Sequence, residues 1–225
     1  MPASSWSRRL SAVASLGDRT RRALFDYVRS AGRPVGRDEA AEAVGLTRGA
    51  AAAQLDRLAE EGVLSVTFSK PGGGGPGSGR PSKFYSPARP EFVASVPERS
   101  YELVGELMAS AAERSLAEGA PMSECLDTTG REAGLKLGRE HGTIEGVLQA
   151  TGYDPHPSDE IGGFELANCP FHRLAQGHRA VVCSLSAALL EGALDGCGDR
   201  DHGVQPIDPA DGPGECCARI VPRKK

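Results

Sequence analysis

The chemistry available to this chain is concentrated in sulfur. Five of its six cysteines, Cys169, Cys183, Cys197, Cys216 and Cys217, lie beyond residue 168, and only Cys125 stands apart. Thiolates are soft donors suited to zinc and iron, and in a reducing compartment clustered thiols bind metal more often than they pair as disulfides. Thirteen residues separate Cys169 from Cys183, thirteen more separate Cys183 from Cys197, and eighteen precede Cys216. These are not the CxxC knuckles of zinc ribbons. A site made from Cys169, Cys183, Cys197 and Cys216 must draw on separate elements, so metal binding and folding would be linked. His172 and Cys217 are alternate ligands. On a strand Cys216 and Cys217 would face opposite ways, and Cys216 shares its parity with Ala218 and Ile220, which makes it the expected donor. Cys125 reads as a small core residue of a helix, and His156, His178 and His202 as surface.

The elements that must position these thiols follow from periodicity. IGGFELAN alternates like a strand, Pro170 opens a short helix, AVVCSLSAALLEGALDG makes a longer one with Val182, Leu185, Ala188 and Leu189 packed, and CCARIV closes as a strand. This predicts a small α+β unit over 152–225. Residues 91–151 read as a helical segment for dimerisation. Pro97 suits a first helical position, with Leu103, Val104, Leu107, Met108 and Ala111 forming a stripe behind it. A helix from about Ser123 to His141 carries Gly130, Gly134 and Gly138 on one line. Each interior glycine costs up to about 1 kcal/mol relative to alanine, which predicts close approach of another backbone, either the Pro97 helix or a second subunit. A short helix through Ile144, Val147 and Leu148 ends at Gly152, and GYDPHPSD reads as a polar connector.

The front of the chain has a different character. Residues 1–90 hold 14 Lys and Arg against 8 Asp and Glu, while residues 91–225 hold 12 against 22. A cationic front suits a polyanion, and double-stranded DNA is the expected partner. Asp18 can cap a helix with Leu24, Phe25 and Val28 on one face, and Gly32 can stop it. RDEAAEAVG follows as a short helix, Gly45 allows a sharp turn, and Thr47 caps a third helix from Arg48 to about Glu61. That is a helix-turn-helix pattern with its recognition helix starting at Thr47. Thr47, Arg48 and Gly49 would meet the major groove, with Gln54 and Arg57 one and two turns on. After Gly62 the period becomes two through Leu64, Val66 and Phe68, then PGGGGPGSGRP interrupts regular structure, and Lys83–Ser86 returns as a strand. Lys70, Arg80 and Lys83 around this wing would meet phosphates. A phosphate-binding P-loop is excluded, because no GK[ST] follows the glycines.

LGDRTRRALFDYV, the helix-turn-helix and GRPSKFY together resemble the ArsR-like winged-helix regulators over about residues 14–88. NCPFHRLAQGHRAVVCSLSAALLEGALDG followed by DPADGPGECCARI is similar to the C-terminal domain of the SufR-like branch, some members of which bind an iron–sulfur cluster through spaced cysteines. The resemblance implies Cys169, Cys183 and Cys216 as cluster ligands, with Cys197 the fourth by count and zinc the alternative cofactor. The expected fold is α+β and mainly helical: a winged helix-turn-helix over 1–90, the helical segment, and the cysteine-rich sensor domain.

Composition is that of a globular chain, 39% apolar and 25% charged, with no apolar run behind the first residues and no 18-residue uninterrupted apolar stretch. Neither secretion nor membrane spanning is expected, and the cytoplasm is the expected location. The expected activity is that of a homodimeric transcriptional regulator, a repressor whose operator affinity follows cluster, metal or redox state. A zinc-stabilised or metal-free regulator sensing a small apolar ligand is the alternative. A Cys/His enzyme with a docking module is the reading from another class. No nucleophile elbow, HExxH or paired-carboxylate pattern favours catalysis, and His172 beside Cys169 is its only candidate pair.

Overall fold

The computed structural model describes residues 5–69, 81–208 and 216–223, which divide into two compact units, 1–95 and 96–225. It is an α+β protein with two small antiparallel sheets. Unit 1 starts with α1 (Ser5–Ser15), an element that sequence periodicity did not announce. Helix α2 (Arg19–Ser30) begins where the Asp18 carboxylate accepts from the Arg21 amide at 2.9 Å, and it buries Leu24, Phe25 and Val28. A two-residue strand β1 (Val35–Gly36) leads into α3 (Arg37–Val44). Gly45 then takes a left-handed conformation at φ 70°, which a side chain would disfavour, and turns the chain into α4 (Arg48–Glu60). Thr47 caps α4 by accepting from the Ala50 amide, and Ala51, Leu55 and Leu58 point into the core.

Strands β2 (Leu64–Ser69) and β3 (Ser82–Pro87) pair antiparallel, and β1 joins the other side of β3. The alternation expected for β2 fades along its length: Leu64 is buried, Val66 is half-buried, and Phe68 is 66% exposed. Burial thus fades along β2 toward Ser69. One polar node pins β3 to α4. Tyr85 is buried, and its hydroxyl donates to the Asp56 carboxylate at 2.8 Å, which also pairs with Lys83 at 2.7 Å. Burial works to raise the Asp56 pKa, but the hydrogen bonds from Lys83 and Tyr85 outweigh it and hold this carboxyl below its usual range.

Unit 2 gathers α5 (Tyr101–Glu118), α6 (Met122–His141), α7 (Ile144–Thr151) and α8 (His172–Cys197) around one core with strands β4 (Pro155–Ser158), β5 (Gly163–Leu166), β6 (His202–Pro206) and β7 (Ala218–Pro222). The sheet order is β4-β5-β7-β6. The helices of the middle segment and the thiol-bearing elements therefore share a single core. Helix α5 starts at Tyr101 rather than at Pro97, because Ser100 and its neighbours are bonded to other parts of the unit. A kink at His178 divides α8, matching the two helices read from the sequence. This helix is long and apolar enough to cross a membrane by length and composition, but half of its most apolar window is buried inside unit 2.

The glycine line of α6 does meet another backbone, and its partner is α8, not the helix after Pro97. A Cβ at Gly134 would stand 2.0 Å from the Leu189 carbonyl oxygen, and one at Gly138 would stand 2.4 Å from that of Ala193. Gly192 and Gly196 of α8 approach α6 just as closely, at the Arg131 and Leu135 carbonyls. Both helices give up side chains where they cross. Gly134→Ala should destabilise the protein by about 1–3 kcal/mol in urea unfolding, through overpacking against rigid backbone. Gly105→Ala on α5, where an added Cβ meets nothing within 4 Å, should instead stabilise it by about 0.4–1 kcal/mol.

Candidate functional site

Four thiols meet in unit 2. Cys169 lies in the loop after β5, Cys183 on α8 beyond the kink, and Cys216 and Cys217 in the turn that enters β7. Cys169 and Cys216, Cys216 and Cys217, and Cys217 and Cys183 are each close enough to shift one another's acidity. Cys169 and Cys216 are buried, whereas Cys183 and Cys217 are half-buried. Hydrogen bonds from Cys183 and then Cys216 pull the Cys217 thiol down to about 3, and the bond from Cys216 lowers Cys169. Cys216 is pushed up by its bonds to Cys169 and Cys217 and then by burial, and Cys183 by its bond to Cys217 and then by burial.

The surroundings supply some compensating charge. Arg179 favours the thiolate forms of Cys183 and Cys217, and Arg99 favours that of Cys169. Tyr153 lies beneath, fully buried, with its hydroxyl 2.5 Å from Ser186 Oγ and its ring edge-on to Phe171. Burial, and next the nearby Cys216, hold its phenol protonated.

The Cys169 loop is held from an unexpected direction. Arg99 donates to the Cys169 carbonyl at 2.6 Å and to the Asn168 side-chain oxygen. Asn168, buried, donates from Nδ2 to the Glu98 carbonyl at 2.8 Å and the Gly152 carbonyl at 2.6 Å. The Ser100 amide donates to the Pro170 carbonyl at 3.0 Å, and the Ser100 hydroxyl to the Thr151 carbonyl at 2.7 Å. Residues 98–100 thus form a strap across the loop that carries Cys169. Sequence reasoning passed over Arg99 and Asn168, because nothing local relates residues 69 positions apart.

The other expected ligands lie differently. Cys197, at the far end of α8, donates to the Gly138 carbonyl at 3.6 Å, and its pKa is raised by burial and then by Asp199. It takes no part in the thiol chain. Cys217, not Cys197, is linked to Cys183 and Cys216, while burial alternates into β7 as expected, with Cys216, Ala218 and Ile220 buried and Cys217 and Arg219 half-buried. His172 Nε2 lies 3.0 Å from Gln176 Nε2 on the first turn of α8. Cys125 is buried in the core on α6.

Among the described residues no group of three or more His, Cys, Asp or Glu side chains is placed so that it could hold a metal ion. The four thiols instead influence one another pairwise, Cys169 with Cys216, Cys216 with Cys217 and Cys217 with Cys183.

In unit 1 the residues expected to face DNA lie on and beside α4. Thr47 is committed to its cap, and Gly49 has open space around it. Arg48 pairs with Asp38 at 2.7 Å, and Arg57 with Glu61 at 2.6 Å. The Gln54 side-chain oxygen accepts from Arg21 at 3.4 Å. Lys83 is tied to Asp56. Lys70 and Arg80 fall outside the described residues.

Compared with known protein families, curated proteins and solved structures, the chain matches none.

If the strap positions the thiol loop, Asn168→Ala should destabilise the protein by about 1–3 kcal/mol, since it strands two carbonyls and one guanidinium contact in a buried place. Chemical unfolding measures the loss, and a faster reaction of Cys169 with a thiol probe under native conditions would show that the loop itself has loosened.

Proposed function

We propose that this protein is a DNA-binding transcriptional regulator whose affinity for its operator depends on a thiolate-held centre in unit 2. The observation that carries the reading is the convergence of Cys169, Cys183, Cys216 and Cys217 from separate elements of one acidic unit. An iron–sulfur cluster is the favoured occupant, and these four residues would hold it. Such a group would supply a redox- and iron-responsive bond between elements that otherwise share a hydrophobic core. Zinc is the second reading, because four thiolates also suit its tetrahedral preference.

For unit 1 we propose a winged helix-turn-helix in a homodimer, reading an operator of two-fold symmetry. Helices α3 and α4 joined at the Gly45 turn, the antiparallel pair β2 and β3, and the cationic excess of residues 1–90 support this. Arg48 is the residue best placed to engage DNA. Its pair with Asp38 is exposed on both sides at 64%, and such pairs contribute only about 0–1 kcal/mol, so the guanidinium is cheaply exchanged for a phosphate or a guanine edge. Lys83 is more committed, because Asp56 also serves the buried Tyr85 hydroxyl.

A route from the thiols to the DNA-binding unit is built into the chain. Unit 1 ends at Ser95, and four residues later Arg99 is bonded to the carbonyl of Cys169. Residues that hold the Cys169 loop are thus residues that lead out of unit 1. Any change in how that loop is held alters the start of the connection.

Two measurements test the reading. Anaerobic purification followed by a visible spectrum and iron, sulfide and zinc analysis should give a coloured protein whose chromophore is lost in Cys217→Ser and retained in Cys197→Ser. A colourless protein with one zinc per chain would select zinc, and loss of metal from Cys197→Ser but not from Cys217→Ser would refute the ligand set. Separately, binding to a duplex should weaken steeply with salt, and Arg48→Ala should weaken it by about 5- to 150-fold, the span of about 1–3 kcal/mol for one base-edge contact. Unchanged binding in this variant would remove α4 from the interface.

A further inference from the structure

We propose that Glu191 is a latch on the outer edge of the unit 2 sheet, and that withdrawing its carboxylate turns β6 into a strand-addition surface for the β6 of a second copy. The sheet order β4-β5-β7-β6 leaves two edges, and an edge with free amides is a template for another strand. Register decides which residues face outward. The Ala167 amide donates to the Asp154 carbonyl and the Ile207 amide to the Cys217 carbonyl, each at 2.9 Å and each continuing the ladder of its strand pair. Bonded and outward positions alternate along an antiparallel strand, so Pro155 and Pro157 face out of β4, and His202, Val204 and Pro206 face out of β6. None of these positions offers a free amide donor. The prolines have none to offer. The His202 amide donates to Asp199 Oδ1 at 3.1 Å, and the Val204 amide to Glu191 Oε1 at 2.8 Å.

The two acidic closures differ in kind. Asp199 holds the His202 amide within one local turn, whereas Glu191 reaches the strand from α8. The other Glu191 oxygen accepts from Arg223 Nη2 at 2.8 Å, and Arg223 Nε donates to the His202 carbonyl at 2.6 Å. One carboxylate and one guanidinium thus occupy an amide and a carbonyl of the same edge. Their side chains are 22% and 46% exposed, so water reaches the pair and can take its place. What lies behind the latch suits a copy of the same strand. Turned about a two-fold axis at Val204, β6 meets itself antiparallel, with the Val204 amide of each copy donating to the Val204 carbonyl of the other. Space for an incoming strand is present, because a groove of 670 Å³ is lined by Glu191, Arg223 and the β6 residues Gly203, Val204, Gln205 and Pro206. The pairing would join the sheets of two copies into one. Neither latch nor pairing depends on the function proposed above.

Sedimentation velocity of the full-length protein under reductant, over a concentration series, tests this. Glu191→Ala should associate as concentration rises, to about twice the wild-type mass. Glu191→Gln, whose amide oxygen still accepts from Val204, should keep the wild-type mass. Adding Val204→Pro to Glu191→Ala removes the uncovered donor and should restore that mass. Residue-resolved hydrogen exchange locates the effect: the Val204 amide is protected at every concentration in wild type, and in Glu191→Ala it is open when dilute and protected when concentrated. A folded Glu191→Ala that keeps the wild-type mass overturns the proposal, as does association that persists with Val204→Pro or leaves the Val204 amide unprotected. Rapid exchange of that amide in wild type removes the latch even if no variant folds.

Discussion

Unit 2 depends on two helices being allowed to touch backbone to backbone. Four glycines, Gly134 and Gly138 on α6 and Gly192 and Gly196 on α8, would each drive an added Cβ into a carbonyl of the other helix, and at Gly130 it would press on the Ala188 side chain. Such a contact has almost no freedom, because backbone cannot rotate out of the way as a side chain can. It therefore fixes the position of α8 along α6. Cys183 is carried on α8 within one turn of Leu185, where the close approach to Gly130 begins, and Val182, Leu185 and Leu189 on the same helix lie in the core of the unit. A site assembled from distant segments needs at least one rigid reference, and the glycine crossing supplies it.

The remaining donors are held by softer means. Cys216 and Cys217 enter from a turn whose following strand pairs with both β5 and β6, and Cys169 is held by the strap through Asn168 and Arg99. Hydrogen bonds of this kind contribute about 0.5–1.5 kcal/mol each, but leaving their buried partners unmet costs more, so the strap acts as a set and not as independent ties. One donor rides on an element that cannot shift, while the others sit on segments whose bonds can be exchanged.

Much of unit 1 was legible in the sequence because its signals are local. Asp18 and Thr47 sit at the caps they were expected to occupy, Gly45 takes the left-handed turn, and the buried faces of α2 and α4 follow helical spacing. What escaped was non-local or written in misleading residues. Strand β4 contains Pro155 and Pro157, which argue against a strand interior, yet β4 lies at the sheet edge, where a missing donor costs nothing. The glycine line announced a close neighbour but not which one, because α6 and α8 are brought together only by the fold. Near the thiols, the parity that groups Cys216 with Ala218 and Ile220 was legible, because burial alternates along that strand, while the place of Cys197 was not, because it depends on where the far end of α8 lies against Gly138.

The division of charge and the division of core are the same division. The 13 residues of the first core, from Ala12 to Tyr85, lie in the cationic unit, and the thiol site belongs wholly to the second core in the acidic one. Two separate cores let one unit change its packing without unfolding the other, since destabilisation spreads through shared contacts. Charge changes across the same boundary, and the chain that leaves the first unit at Ser95 runs at once into residues 98–100, which cross the Cys169 loop, so the thiol-bearing loop of the second unit is anchored by the first residues that follow the boundary.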